Sequence, residues 1–174
     1  MRIISGIYKS RKIIPPKGGD IVRPTSDRAK ETLFNTVSNF FEFEGARVVD
    51  LYCGSGAIGL EFISRGAKRC VFVDENVETV SRNVEALGCG DRSLIMKDCC
   101  LSYIKYEIEA DLIFADPPYS YRVYEELLNL VSKQKCYFIL EHSGDVKIPE
   151  KLKKKIFKEK KEGIAMFTFF DLNN

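Results

Sequence analysis

The chain has 174 residues, 45% of them hydrophobic, enough to bury one full core, and its net charge is only +2. It shows neither a charged-then-apolar leader nor a long apolar run, which argues against secretion and membrane spanning and for a cytoplasmic protein. The six cysteines (Cys53, Cys70, Cys89, Cys99, Cys100 and Cys136) form no C-x-x-C pair and His142 is the only histidine, so the pattern speaks against a metal centre and for reduced, buried thiols.

The charge is unevenly placed. Residues 1–30 hold eight basic side chains against two acids, residues 147–161 again hold eight against two, and residues 31–146 hold eleven against nineteen. Basic ends around an acidic centre suggest a polyanionic partner gripped by the ends and a cationic ligand in the middle. A plain solvated lysine face is the competing reading of the second run.

From the amino terminus, Ile3-Ile4 and Ile13-Ile14 are two β-prone runs around Ser5-Gly6, decorated by Arg2, Lys9, Arg11 and Lys12. This predicts a basic hairpin or arm over residues 1–22. Pro15 to Gly19 break the chain. Arg23-Pro24-Thr25-Ser26-Asp27-Arg28 then opens a helix and the main domain, residues 23–174, with Thr25 or Ser26 as cap and Leu33, Phe34, Val37 and Phe41 as its apolar stripe.

Val48-Val49-Asp50-Leu51 reads as a buried strand running into Tyr52-Cys53-Gly54-Ser55-Gly56, and a helix follows from about Ala57 to Arg65, stopped by Gly66. Cys70 to Asp74 is a second strand, followed by a helix with Val77, Val80, Val84 and Leu87 inward and Gly88 as its stop. Leu94-Ile95-Met96 is a third strand, ending near Asp98, and Leu112 to Ala115 a fourth, running into Asp116-Pro117-Pro118-Tyr119. Tyr121 to Lys133 reads as a helix and Tyr137 to Leu140 as a fifth strand. The tail, Ile156-Phe157 and Ile164 to Phe170, reads as two more strands around Glu162-Gly163.

Strands alternating with helices imply an α/β fold, a parallel sheet with helices on both faces, in which ligands bind beyond the carboxyl ends of the strands. Asp50, Asp74, Asp98 and Asp116 all fall at such ends. A single strand-end Asp is usually a helix cap. Four around one glycine loop point to a site.

Two ligands suit the loop. Gly54, Gly56 and Gly59 match G-x-G-x-x-G, and Asp74 stands where a ribose-binding acid belongs, which suggests NAD. Asp50 argues the other way, because a carboxylate near the loop repels a pyrophosphate and attracts an ammonium group. Asp50-x-x-x-Gly54-x-Gly56 resembles the first motif of class I methyltransferases, which bind S-adenosylmethionine. That resemblance implies a Rossmann-like, mostly parallel seven-stranded sheet with the last strand antiparallel. It also implies a cofactor site of Asp50, Tyr52, Cys53, Gly54, Gly56, Asp74, Glu75, Asp98 and Cys99, with Asp74 on the ribose and Asp98 on the adenine amine.

Asp116-Pro117-Pro118-Tyr119 resembles the D/N-P-P-Y/F motif of methyltransferases acting on exocyclic base amines. Two prolines remove two N–H donors, so the Asp116 carboxylate and the Pro117 carbonyl are left to accept the hydrogens of an –NH₂ group, and Tyr119 to stack on the base. Arg2-Ile3-Ile4-Ser5-Gly6, Arg23-Pro24-Thr25 with Asp27-Arg28, Asp50 to Gly56 and the Asp116 motif follow in that order. The combination resembles the RsmD family, enzymes that methylate guanine N2 in 16S ribosomal RNA. The resemblance implies a monomer, acting without metal on the RNA or the small-subunit particle. Arg2, Lys9, Arg11, Lys12, Arg23, Thr25 and Arg28 would contact the RNA, and Asp116, Pro117, Pro118 and Tyr119 would form the catalytic motif. Adenine-N6 or cytosine-N4 methylation, or a catalytically silent RNA-binding relative, are the alternatives. His142 is read as structural, Cys53 lacks a base that would make it a nucleophile, and the Cys99-Cys100 pair is read as incidental.

Overall fold

Apolar residues stand on both faces of the strand before the glycine loop, so it must lie at the centre of a sheet covered on both sides. A computed structural model describes residues 1–15, 26–118 and 124–173. Strands β1 (Arg47–Leu51), β2 (Arg69–Asp74), β3 (Ser93–Lys97), β4 (Leu112–Ala115), β5 (Tyr137–His142), β6 (Ile156–Glu162) and β7 (Ala165–Asp171) form one sheet in the order β3-β2-β1-β4-β5-β7-β6. Neighbouring strands are parallel except for β7, which is antiparallel to both β5 and β6. The last strand is thus the reversed one, as the methyltransferase resemblance implies.

Strand alternation sorts the core into two layers. Val48, Phe72, Phe114, Ile139, Phe167 and Phe169 pack with α1 (Asp27–Val37), α2 (Ala57–Ser64) and α3 (Glu78–Leu87). Val49, Leu51, Val73, Ile113, Phe138 and Phe170 face α4 (Cys100–Tyr103), α5 (Tyr124–Val131) and α6 (Glu150–Lys153). The short helices α4 and α6 were not expected, because four residues carry no helical period. Ser26 caps α1, its hydroxyl accepting from the Ala29 N–H at 3.1 Å. Phe41 lies beyond that helix and meets Phe43, Phe62 and Tyr137 edge-on in an aromatic cluster. Strand β6 extends well past Ile156-Phe157, because an edge strand need not be apolar.

Residues 1–15 lie on the α1–α3 layer. Met1–Ile3 runs antiparallel to Ser10–Ile13, with 2.9 Å bonds from the Ile3 N–H to the Arg11 carbonyl and from the Ser10 N–H to the Ile3 carbonyl. Ile3 and Ile13 are buried in the core. Gly6, at φ +80°, passes so near the end of α2 that a Cβ would stand 1.8 Å from the Ser64 carbonyl oxygen. Buried polar side chains fasten the segment. Glu61 accepts the N–H groups of Ile4 (2.8 Å) and Ser5 (3.0 Å), and Lys30 donates to the Arg2 carbonyl. Lys30 is fully buried and burial lowers its pKa, so one of the charges counted in the basic amino-terminal end is internal.

Candidate active site

The sheet order turns four acids that are distant in sequence into neighbours. Asp98, Asp74, Asp50 and Asp116 stand at the carboxyl ends of β3, β2, β1 and β4, four adjacent strands. The strand order reverses between β1 and β4, so Asp50 and Asp116 flank the crevice where open α/β sheets bind ligands.

Asp50 is buried and turned toward α2, its Oδ2 accepting the Gly59 N–H at 2.9 Å. That approach needs a glycine: a Cβ at Gly59 would lie 2.4 Å from Phe72 and 3.0 Å from Asp50 Oδ2. Burial pushes the Asp50 carboxyl up to about 8, repulsion from Asp116 and Asp74 adding to it and the Gly59 N–H opposing it. Burial also raises half-buried Asp116. The charged groups acting on Asp50 are therefore acids. Pro117 is buried and Pro118 exposed.

Asp74 builds the loop as well as facing it. Its Oδ2 accepts the Gly54 N–H at 2.9 Å and its Oδ1 the Asn76 N–H at 3.0 Å. Gly54 and Gly56 adopt φ +52° and +76°, and the space where a Gly54 side chain would stand is open. Tyr52 takes the left-handed region too, at φ +58°, which is uncommon for an aromatic residue. Its N–H donates to the Cys100 thiol at 3.2 Å, and that thiol donates to the Val73 carbonyl at 3.4 Å. Cys100 is thus a buried relay under the loop, and only exposed Cys99 of the pair is open to solvent. Glu75 and Asp98 are exposed, and Asp98 Oδ1 accepts the Cys99 N–H at 2.7 Å. Cys53 is buried and its thiol pKa is raised, which leaves it a poor nucleophile.

The basic residues divide. Arg28 pairs with Glu162 at 2.9 Å and Arg2 with Asp27 at 3.0 Å. Exposed Lys9 and Arg11 stand at the far end of the molecule, beside the carboxyl ends of α2 and α3, where Arg11 donates to the Ala86 carbonyl at 2.9 Å. The 8-residue helix α2 puts them about 12 Å from the glycine loop. Lys12 is exposed between these two levels. Arg23, Thr25 and Tyr119 lie outside the described residues, as do the first residues expected of the helix that starts at Tyr124. His142 is buried on Thr168, 2.8 Å from Nε2, in the structural role expected of it.

One contributor was missed. Asn83 on α3 is fully buried, accepts the Ile14 N–H at 2.7 Å and donates to the carbonyls of Ile14 and Ser55, each at 2.9 Å. It joins the amino-terminal segment to the glycine loop. The signal was its position three residues after Val80 and four before Leu87, on the inward stripe. Asn83→Ala is expected to lower stability by about 1–3 kcal/mol, since it strands the part-buried Ile14 N–H and the buried Ser55 carbonyl. Urea unfolding checks this, and an unchanged midpoint would deny the link.

Comparisons with known proteins agree with this fold. The sequence profile described as "Conserved hypothetical protein 95" matches residues 1–171. Bacillus subtilis YlbH, provisionally named an rRNA methyltransferase, is 33% identical over 162 residues, 86% of each chain. The Haemophilus influenzae ribosomal RNA small subunit methyltransferase D is 28% identical, over 98% of this chain and 93% of its own. The solved structure of Escherichia coli yhhF, provisionally titled a methyltransferase, superposes with a TM-score of 0.81 at 27% identity, over 98% of this chain and 96% of that one. With the sheet order, the glycine loop and the Asp-Pro-Pro motif in place, the chain belongs to the conserved hypothetical protein 95 family, the RsmD family of class I methyltransferases.

Proposed function

We propose that the protein transfers a methyl group from S-adenosylmethionine to the exocyclic N2 amine of a guanine in small-subunit ribosomal RNA, as a cytoplasmic monomer and without a metal. The observation that carries the reading is the row of four acids on adjacent strand ends, two of them with raised carboxyl pKa values, over an open glycine loop. Such a row suits a cofactor bearing an ammonium and a sulfonium, and it disfavours a pyrophosphate.

When bound, S-adenosylmethionine supplies an electrophilic methyl carbon. Asp50 favours its ammonium, Asp74 accepts from the ribose hydroxyls with Glu75 beside it, and Asp98 and Cys99 border the adenine. Tyr52, Cys53, Gly54 and Gly56 form the floor. The Asp116 carboxylate and the Pro117 carbonyl each accept a hydrogen of the guanine amine. A base amine is a weak nucleophile because its lone pair is delocalised into the ring. Two acceptors hold it pyramidal and stabilise the positive charge that develops on nitrogen. Pro118 keeps the motif's backbone rigid, and Tyr119 stacks on the base. Arg2, Lys9, Arg11, Lys12, Arg23, Thr25 and Arg28 meet RNA phosphates, the far group through the length of an RNA helix.

The decisive experiment is transfer of labelled methyl groups to small-subunit RNA or particles, with mass mapping of the product. Absence of N2-methylguanine would overturn the reading.

Cofactor binding tests it from another side. Calorimetry is expected to show saturable binding of S-adenosylhomocysteine and none of NAD. Folding holds the Asp50 proton more tightly than the unfolded chain does, so the empty site costs stability as pH rises toward about 8. An ammonium ligand favours the carboxylate. Its affinity should therefore rise roughly 10-fold or more from about pH 6 to about pH 8, with proton release, and Asp50→Asn should flatten the profile. A pH-independent wild type would remove Asp50 from the ammonium contact.

A further inference from the structure

Strand β6 is the outer strand of the sheet and carries Lys158, Lys160 and Lys161. Two antiparallel pairings through β7 restore its direction, so it runs the same way as β1, β4 and β5. Its last residues therefore stand at the carboxyl edge of the sheet, with the active site. Lys160 pairs with Phe167, which pairs with Glu141. Glu141 follows Leu140, the partner of Ala115, and Ala115 precedes Asp116. Lys160 and Asp116 thus share a row of the sheet three strand spacings apart, about 14 Å between backbones.

The acids of this strand are held by neighbouring groups, Glu162 half-buried and Glu159 at the exposed surface. Glu162 accepts from Arg28 at 2.9 Å and from Thr32 at 3.4 Å, and Glu159 accepts the Thr168 hydroxyl at 3.3 Å. Among the described residues, Lys158, Lys160 and Lys161 make no ion pair. Arg28 keeps 82% of its side chain exposed even in its pair, and it stands on α1, packed along β6. Arg28 of the amino-terminal end and the lysines of the carboxyl-terminal end therefore meet on one flank. The rim reads acidic across β3, β2, β1 and β4, and basic at β6. Lys158 and Lys161 are exposed, Lys160 is half-buried, and at the tip of the β6–β7 turn Ile164 is 59% exposed.

We propose that this lysine edge, Lys158, Lys160 and Lys161 with Arg28 beside them, is the lip on which the RNA backbone docks, holding phosphates of nucleotides that flank the one at Asp116. The proposal rests on the rRNA methyltransferase reading above. The spacing fits: a base turned into the crevice leaves its neighbours outside, over the next strands of the sheet. The charge fits as well, since a polyanion is repelled by the acidic half of the rim and attracted by the basic half. Lysines on an edge strand also discourage sheet-to-sheet pairing, and that role alone would leave RNA binding unaffected by their loss.

The test compares the full chain with Lys158→Gln/Lys160→Gln/Lys161→Gln and with a charge-matched control, Lys68→Gln/Lys133→Gln/Lys135→Gln, at the amino-end side of the sheet. RNA affinity is measured against salt with a small-subunit RNA fragment, and S-adenosylhomocysteine affinity in parallel. The edge variant should lose roughly 10-fold or more in RNA affinity, and its slope of log affinity against log salt should become shallower by about two. Its KM for RNA should rise, and its cofactor affinity should match wild type. The control should behave as wild type in every measurement. Unchanged RNA affinity and slope in the edge variant, or equal losses in both variants, would overturn the proposal. New self-association with intact RNA binding would overturn it too, and leave the lysines as guards of an edge. A wild-type protein that binds the RNA yet transfers no methyl group defeats the methyltransferase reading alone, because the salt slopes still decide on the lip.

Discussion

Asp116→Ala is expected to slow single-turnover methyl transfer to small-subunit RNA by ~10²-fold or more, the scale of losing one preorganised polar partner of a developing charge. The variant keeps the Pro117 carbonyl as one acceptor of the amine and loses the other. S-adenosylmethionine affinity should stay within a few-fold, because Asp50, Asp74 and Asp98 stand on other strands. Between about pH 7 and about pH 8 it should even improve slightly, since ionised Asp116 is one of the charges that hold the Asp50 proton in place. Asp116→Asn should retain part of the rate, as its side-chain carbonyl still accepts a hydrogen bond without the charge. Wild-type turnover in Asp116→Ala would remove the residue from the chemistry. An equal loss of cofactor affinity would move it to the cofactor pocket.

Glu61→Ala should cost about 3–5 kcal/mol of stability, the range for breaking a buried ion pair from one side. Glu61 is fully buried in α2, where its carboxylate accepts two backbone N–H groups from residues 4 and 5 and pairs with Arg65 at 3.0 Å. Alanine leaves two part-buried donors and a largely covered guanidinium without their acceptor. Residues 1–15 should then detach and become protease-sensitive before the sheet unfolds. Glu61→Gln, which keeps one acceptor oxygen, should be milder. Denaturant unfolding combined with limited proteolysis measures both effects. A change under about 1 kcal/mol would mean that the segment is held by Ile3 and Ile13 burial instead.

Much of the site was legible because its parts are local. Asp50, Gly54, Gly56 and Gly59 fall within ten residues, and the need for positive φ at Gly54 and Gly56 and for close packing at Gly59 is written in residue type. Strand periods placed β1, β2, β4 and β5 within a residue or two, because buried parallel strands are apolar throughout. Helices of four residues, the length of β6 and the end of α1 before Phe41 have no such signature.

The roles of single polar residues were less legible. By sequence alone Lys30 counts as surface charge, Glu61 and Asn83 carry no signal of their links, and Cys100 reads as incidental. Each is a polar or thiol group whose partner lies far along the chain or on another element: Lys30 with Arg2, Glu61 with Ile4 and Ser5, Asn83 with Ile14 and Ser55, Cys100 with Tyr52 and Val73. Burial turns such a group inward only if those partners arrive, and sequence distance does not record their arrival.

The sequence by itself determined which residues are the candidates for chemistry: the acids at strand ends, the glycine loop, the Asp-Pro-Pro motif and two basic ends. Residue type settles what a side chain donates, accepts or repels. Only the tertiary structure decided which of them act together. The sheet order put Asp50 beside Asp116 across the switch point. The two reversals at β7 carried the lysines of β6 to the rim of the site, while packing along α2 and α3 took Lys9 and Arg11 to the opposite end. Strand direction and register are properties of pairings between distant segments, and those pairings are where charge acquires a place.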